Sequence, residues 1–162
     1  MAFVIGVVGS GDTDKRHDPL AMEVGSLIAR HGAMMVCGGL SGIMEAASRG
    51  AAQEKGTTIG ILPGSDNREA NPHITIAIPT GLGVARNVLV VRTADALVAL
   101  PGGPGTLSEI ALALNVGKPV VDLGDWKIEG TRAAATAQEA VTLALDLCRE
   151  GSAGGGQGSP GR

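Results

Sequence analysis

Short apolar runs alternate along this chain with longer stretches of helical period. Residues 3–8 form the first run, and nearly every position in it is apolar, as in a strand covered on both faces. Gly9-Ser10-Gly11 ends it. Asp18-Pro19 then opens a predicted helix, with Asp18 as cap and Pro19 in the first turn. Its apolar face is Leu20, Val24, Leu27 and Ile28, and Gly32 stops it. A second strand is predicted over 33–37. Gly38-Gly39-Leu40-Ser41-Gly42 turns from it into a helix over about 43–55, and 58–62 is the third strand. A polar loop over 63–72 precedes a short alternating strand at 74–78. Gly81 to Gly83 lead into a helix carrying Arg86 and Arg92, and 95–100 is again strand. A helix to Val116 and a strand at 118–123 follow. Thr136-Ala-Gln-Glu139 is a capping box for a last helix that runs to about Arg149.

Strands that alternate with helices imply an α/β, Rossmann-like fold: a doubly wound, mostly parallel sheet with helices on both faces. The length of 162 residues suits one domain, placed at residues 1–150. Residues 151–162 are a Gly/Ser-rich tail, expected to be disordered. Aromatic content is only 1%, so small aliphatics must build the core, and 26 glycines suit many tight strand–helix turns. A net charge of −3 with no basic run argues against a nucleic-acid surface. No stretch reads as a membrane span or a signal peptide. Cys37 and Cys148 lie in unrelated contexts, which points to a reduced, cytoplasmic setting. His17, His31 and His73 are scattered, and no metal site is expected.

In doubly wound sheets, ligands bind beyond the carboxyl ends of strands where strand order reverses. Three glycine loops follow strands at that edge: 9–11, 38–42 and 102–105. The most informative is Pro101-Gly-Gly-Pro-Gly-Thr-Leu-Ser-Glu109, between a strand and a helical pattern at Leu107, Ile110, Ala111 and Leu114. Glycines there let backbone N–H groups approach an anion, and the helix N-terminus adds partial positive charge. A carboxylate, Glu109, beside an anion site is electrostatically awkward. A structural alternative stands beside this reading: Thr106-Leu-Ser-Glu109 is also a capping-box pattern.

The other candidates also have structural alternatives. Gly9 and Ser10 could form a plain turn, and Asp12 follows Gly11 where a dinucleotide fingerprint would continue differently. With Cys37 at the second strand end in place of an acid, NAD is disfavoured. Gly38, Gly39 and Gly42 could serve close helix–sheet packing, with Met44 and Glu45 after them. Arg86 could be a surface arginine, but it follows a glycine-rich loop and precedes a very apolar helix. Arg92 reads as a structural partner of Asp95, and Asp66 to Glu69 as a solvated loop.

Taken in order, Gly38-Gly39-x-x-Gly42-Ile-Met44, Ala85-Arg86-Asn87 and Pro101-Gly-Gly-x-Gly-Thr106-x-x-Glu109 resemble the Lonely Guy (LOG) and molybdenum-cofactor-carrier superfamily. The resemblance covers residue 3 to about 148. It implies two activities. LOG enzymes are phosphoribohydrolases that release the base from nucleoside 5′-monophosphates, and their catalytic arginine and glutamate fall at Arg86 and Glu109. Two departures pull the other way. LOG enzymes usually carry two consecutive glutamates at the motif's end, where Ser108 stands first here. They also have a Met-His-Glu-Arg-Lys-like segment, where this chain has Gly83-Val-Ala-Arg86-Asn87. The stretches 58–64, 70–72, 78–81, 85–87, 107–114 and 117–119 look closer to the carrier-like branch.

The resemblance therefore implies a carrier-like protein that binds a nucleotide or molybdopterin-type cofactor, with no cofactor required for itself. The alternatives are a LOG-type hydrolase using Arg86 and Glu109, and a nucleotide sensor acting through partners. Gly102, Gly103, Gly105 and Thr106 would hold phosphate after Pro101. Gly38, Gly39, Gly42 and Met44 would form the other wall, with Gly9, Ser10 and Asn87 adjoining. A homo-oligomer, dimer or tetramer, is implied by the relatives.

Overall fold

The computed structural model describes residues 1–13 and 15–154. Seven strands form one sheet: β1 (Val4–Val8), β2 (Met34–Cys37), β3 (Thr58–Leu62), β4 (Ile76–Pro79), β5 (Ala96–Ala99), β6 (Val120–Asp122) and β7 (Arg132–Ala133). Their spatial order is β4-β3-β2-β1-β5-β6-β7, and every neighbouring pair is parallel. Strand order reverses between β1 and β5, where Val7 pairs with Val98 and Val8 with Ala99.

Five α-helices cover the sheet: α1 (Asp18–Arg30), α2 (Ile43–Gln53), α3 (Asn87–Thr93), α4 (Pro104–Asn115) and α5 (Ala137–Gly154). Because alternate strand residues face opposite ways, the core divides in two. Ile5, Val7, Met35 and Val98 pack with Val24, Ile28, Ala47 and Val141 of α1, α2 and α5. Val8, Val36, Leu97 and Ala99 pack with Val90, Val91, Ile110 and Ala113 of α3 and α4. With so few aromatics, the layers close by small residues. A Cβ on Gly25 of α1 would overlap the Ala47 carbonyl of α2, and one on Gly50 of α2 would overlap the Met22 carbonyl of α1. The two helices thus cross backbone against backbone.

Several expectations are corrected. The short β7 was not anticipated, because two exposed residues carry no strand pattern. α1 has no side-chain cap at Asp18: a 3-10 turn at Lys15–His17 runs straight into it, and His17 is the cap position. Asp95 accepts the Val4 amide (2.8 Å) in place of pairing with Arg92. One arm of the α5 capping box forms, with Glu139 N–H donating to Thr136 Oγ1 at 3.1 Å, while the Glu139 carboxylate accepts from the Ala135 N–H one residue before the cap. α5 then continues to Gly154, beyond the expected end, and Ser152 Oγ donates back to the Cys148 carbonyl. Helix therefore takes 151–154 from the expected tail, and 155–162 lie outside the described residues.

After β6, a tight turn wraps the Asp122 carboxylate, which accepts from the amides of Gly124, Trp126 and Lys127 at 2.9–3.1 Å. The turn brings Trp126 Nε1 to the Leu100 carbonyl at 3.0 Å. It buttresses the start of the 101–106 loop from behind.

Candidate functional site

The loops after β1, β2 and β5 meet at the strand reversal and are tied to one another. Ser10 N–H donates to the Pro101 carbonyl and Ile43 N–H to the Ser10 carbonyl, both at 2.9 Å. Ser41 Oγ donates to the Gly11 carbonyl at 2.8 Å. Gly42 has φ +68°, and a Cβ there would strike the carbonyl oxygens of Ser10 and Asp12, so only glycine fits this junction. Asn71, buried in the loop before β4, holds the second glycine loop: its N–H and Nδ2 reach the Gly39 and Leu40 carbonyls at 2.9 Å.

Together these loops enclose a cavity of about 360 Å³, near the small end of the roughly 300–1,000 Å³ usual for small-molecule sites. The first loop contributes Gly9, Ser10, Gly11 and Asp12. Gly38, Leu40 and Met44 form the opposite wall, Arg86 and Asn87 enter from the segment that starts α3, and Gly103 to Thr106 and Glu109 come from α4. Gly39, Gly42, Pro101 and Gly102 stand behind the wall. Gly39 packs on Leu62 and Gly60, and Gly102 under Thr106 Oγ1. Asp12 and Leu40 were not foreseen: one is a lone acid in a turn, the other a lone apolar residue among glycines, and neither carries a sequence signal.

α4 begins at Pro104 with Gly103 as its cap position and no side-chain cap. Proline at the first helical position fixes the start there, so Thr106 and Glu109 both lie inside the helix. The capping-box alternative for Thr106 and Glu109 does not hold. The expected stripe is also rotated: Thr106, Glu109, Ile110 and Ala113 are buried, while Leu107 and Ala111 face out. The Cβ positions of Gly103 and Gly105 meet no atom within 4 Å. Both glycines line the cavity at the helix N-terminus, whose free N–H groups favour an anion.

Arg86, at the end of a 3-10 turn (Gly83–Arg86), is only 9% exposed. Its Nη1 donates to Asn87 Oδ1, its Nη2 to the Gly38 carbonyl at 3.3 Å, and its buried Nε has no partner. Gly38 allows this approach, since a Cβ there would meet the guanidinium. Asn87 Nδ2 in turn donates to Ser108 Oγ (3.2 Å), which donates to the Gly105 carbonyl (2.6 Å). Ser108, where LOG enzymes have glutamate, thus ties Asn87 to the first turn of α4.

Glu109 is 7% exposed, and burial pushes its carboxyl from an ordinary 4.5 up to about 7, against a smaller opposing pull from Arg86. Among the described residues, none hydrogen-bonds or ion-pairs with it within 4.0 Å. Cys37, buried beneath the cavity, accepts the Gly39 amide at 3.3 Å, and burial raises its thiol.

Residues 2–148 match the model of the SLOG cluster4 family. Two solved structures are similar over nearly their whole length. The molybdenum cofactor binding protein of Rippkaea orientalis is 36% identical with a TM-score of 0.86, covering 91% of this chain and 98% of that one. The molybdenum cofactor carrier protein of Chlamydomonas reinhardtii is 37% identical with a TM-score of 0.82, covering 92% and 99%. An uncharacterised protein of Archaeoglobus fulgidus is 43% identical over 142 residues, 87% of this chain and 93% of its own.

Proposed function

The chain belongs to the SLOG cluster4 family, and from that premise we propose that it binds a phosphate-bearing small ligand, a molybdopterin-type cofactor or a nucleotide, as a carrier. The observation that carries this reading is the buried Arg86 guanidinium with a free Nε, in one cavity with an uncapped helix N-terminus. An unpartnered buried donor is costly unless an acceptor arrives. The phosphate would sit before Gly103, Gly105 and Thr106, and the remainder would lie along Leu40 and Met44. The likeness to a cofactor binding protein and a cofactor carrier supports that choice of ligand.

Equilibrium binding of molybdenum cofactor and of AMP tests this reading. Binding should be lost in Arg86→Ala and weakened by a side chain at Gly103. Failure of both ligands to bind would remove the proposal. A second reading, hydrolysis of nucleoside monophosphates, is favoured by Arg86 and Glu109 lining the same cavity. A carrier releases no base from AMP, as read by mass spectrometry. Release that disappears in Glu109→Gln would make the protein a hydrolase.

The protein would act in the cytoplasm as a homo-oligomer. Val84, Val88, Leu89 and Leu107 are exposed on segments joined by the Asn87–Ser108 hydrogen bond, and Ile76 and Ile78 are exposed on the edge strand β4. Exposed apolar residues so grouped suit contact with a second copy.

A further inference from the structure

Glu109 lies on α4 six positions past Gly103, facing the cavity onto which the helix N-terminus opens. An anion held there would share the one nearby guanidinium, Arg86, with the Glu109 carboxylate, whose pKa that guanidinium already lowers. Arg86 is turned to Asn87 and Gly38, and no described residue donates to Glu109 or pairs with it within 4.0 Å. Every packed element contributes to this balance. The loop after β1 brings the acidic Asp12, while Val7 and Val8 of β1 are neutral. β2 brings the buried Cys37 thiol, whose raised pKa keeps it uncharged. α2 brings Met44, and the segment before α3 brings Arg86, the one cation among the described residues that line the cavity. Among the described residues lining the cavity, Asp12 and Glu109 stand against one guanidinium, so an incoming phosphate competes with Glu109 for Arg86 unless that carboxyl is neutral.

Resting on the phosphate-ligand reading above, we propose that the anionic ligand binds together with one proton. The proton passes from solvent to a carboxylate oxygen of Glu109, and the resulting neutral carboxyl donates a hydrogen bond to an acceptor atom of the ligand. Glu109 is then the acid of the bound site. It selects ligands that present a ring nitrogen, carbonyl or bridging oxygen to it, and it is not a base or a nucleophile in the complex. Burial, which already holds this carboxyl near 7 in the free protein, makes the protonation easy.

Titration calorimetry with AMP at pH 8, in buffers of different ionisation enthalpy, tests the proton count. At that pH the AMP phosphate is already dianionic, since its second pKa is about 6. Wild-type protein should take up close to one proton, and its affinity should fall nearly tenfold per pH unit above 7. Glu109→Gln, which mimics the neutral acid, should bind without uptake and with affinity independent of pH. A carboxyl ¹³C signal of Glu109 that moves to the protonated position on adding AMP gives the same answer in the unaltered protein. Binding without uptake, or equal uptake in Glu109→Gln, overturns the proposal alone. If AMP, ribose 5-phosphate and molybdenum cofactor all fail to bind wild-type protein at pH 6 and 8, the phosphate-ligand reading falls and the proposal with it.

Discussion

Glu109 gives the folded state a pH dependence that belongs to one residue. The unfolded carboxyl titrates near 4.5 and the folded one near 7, so between those values the folded state holds the extra proton. The stability from the neutral acid is full below about 4.5 and is lost as pH rises to 7, a change of about 3 kcal/mol. Glu109→Gln should therefore be more stable than wild type in urea unfolding at pH 8, by up to that amount. The difference should shrink as pH falls towards 4.5. Equal stabilities at pH 8 would show that the carboxylate is better solvated than its burial indicates. Glu109 and Arg86 were legible as site residues because motif order singled them out. Their environment was not, since burial and a missing partner are properties of the folded neighbourhood. Asn71 shows the same limit: its hydrogen bonds to the Gly38–Leu40 loop cross 31 and 32 residues of sequence.

Among the elements, the α1–α2 crossing depends most on single atoms. Gly25 and Gly50 each accept the other helix's backbone where a Cβ would go. Gly50→Ala gains helix propensity of about 1 kcal/mol, yet it must push the helices apart, at a cost of about 3 kcal/mol or more. A net fall in Tm of several degrees is expected by calorimetry; an unchanged or raised Tm would mean that the helices slide at no cost. Strands and helices with a strong period were readable within a few residues. Those with weak signals were not. β7 is two exposed residues, and α4 starts at Pro104, two residues before the alternative cap at Thr106. In α4 the apolar pattern also misled, because the face turned to the sheet includes Thr106 and Glu109 while Leu107 points out.

At the scale of the molecule, the doubly wound parallel sheet and the three converging loops followed from alternation alone, because right-handed crossovers leave few alternatives. What alternation could not show was the uncovered face. The helix after Arg86 read as very apolar, yet α3 is seven residues long and only one side of it packs, leaving Val88 and Leu89 exposed beside Val84 of the preceding turn. A doubly substituted Val88→Glu, Leu89→Glu protein should sediment as a monomer where the wild type sediments as a dimer or larger. An unchanged oligomer would place the contact elsewhere, and a monomeric wild type would remove the oligomer from the proposal.

Trp126 is the only tryptophan of a chain without tyrosine, and its indole N–H is fastened to Leu100, immediately behind the 101–106 loop. The protein thus carries a single fluorophore wired to the back of its candidate ligand cradle. Any ligand that tightens or shifts that loop should move the emission of this one indole, so occupancy can be followed on unlabelled protein. Emission that stays constant while calorimetry reports binding would mean that the loop is already rigid before the ligand arrives.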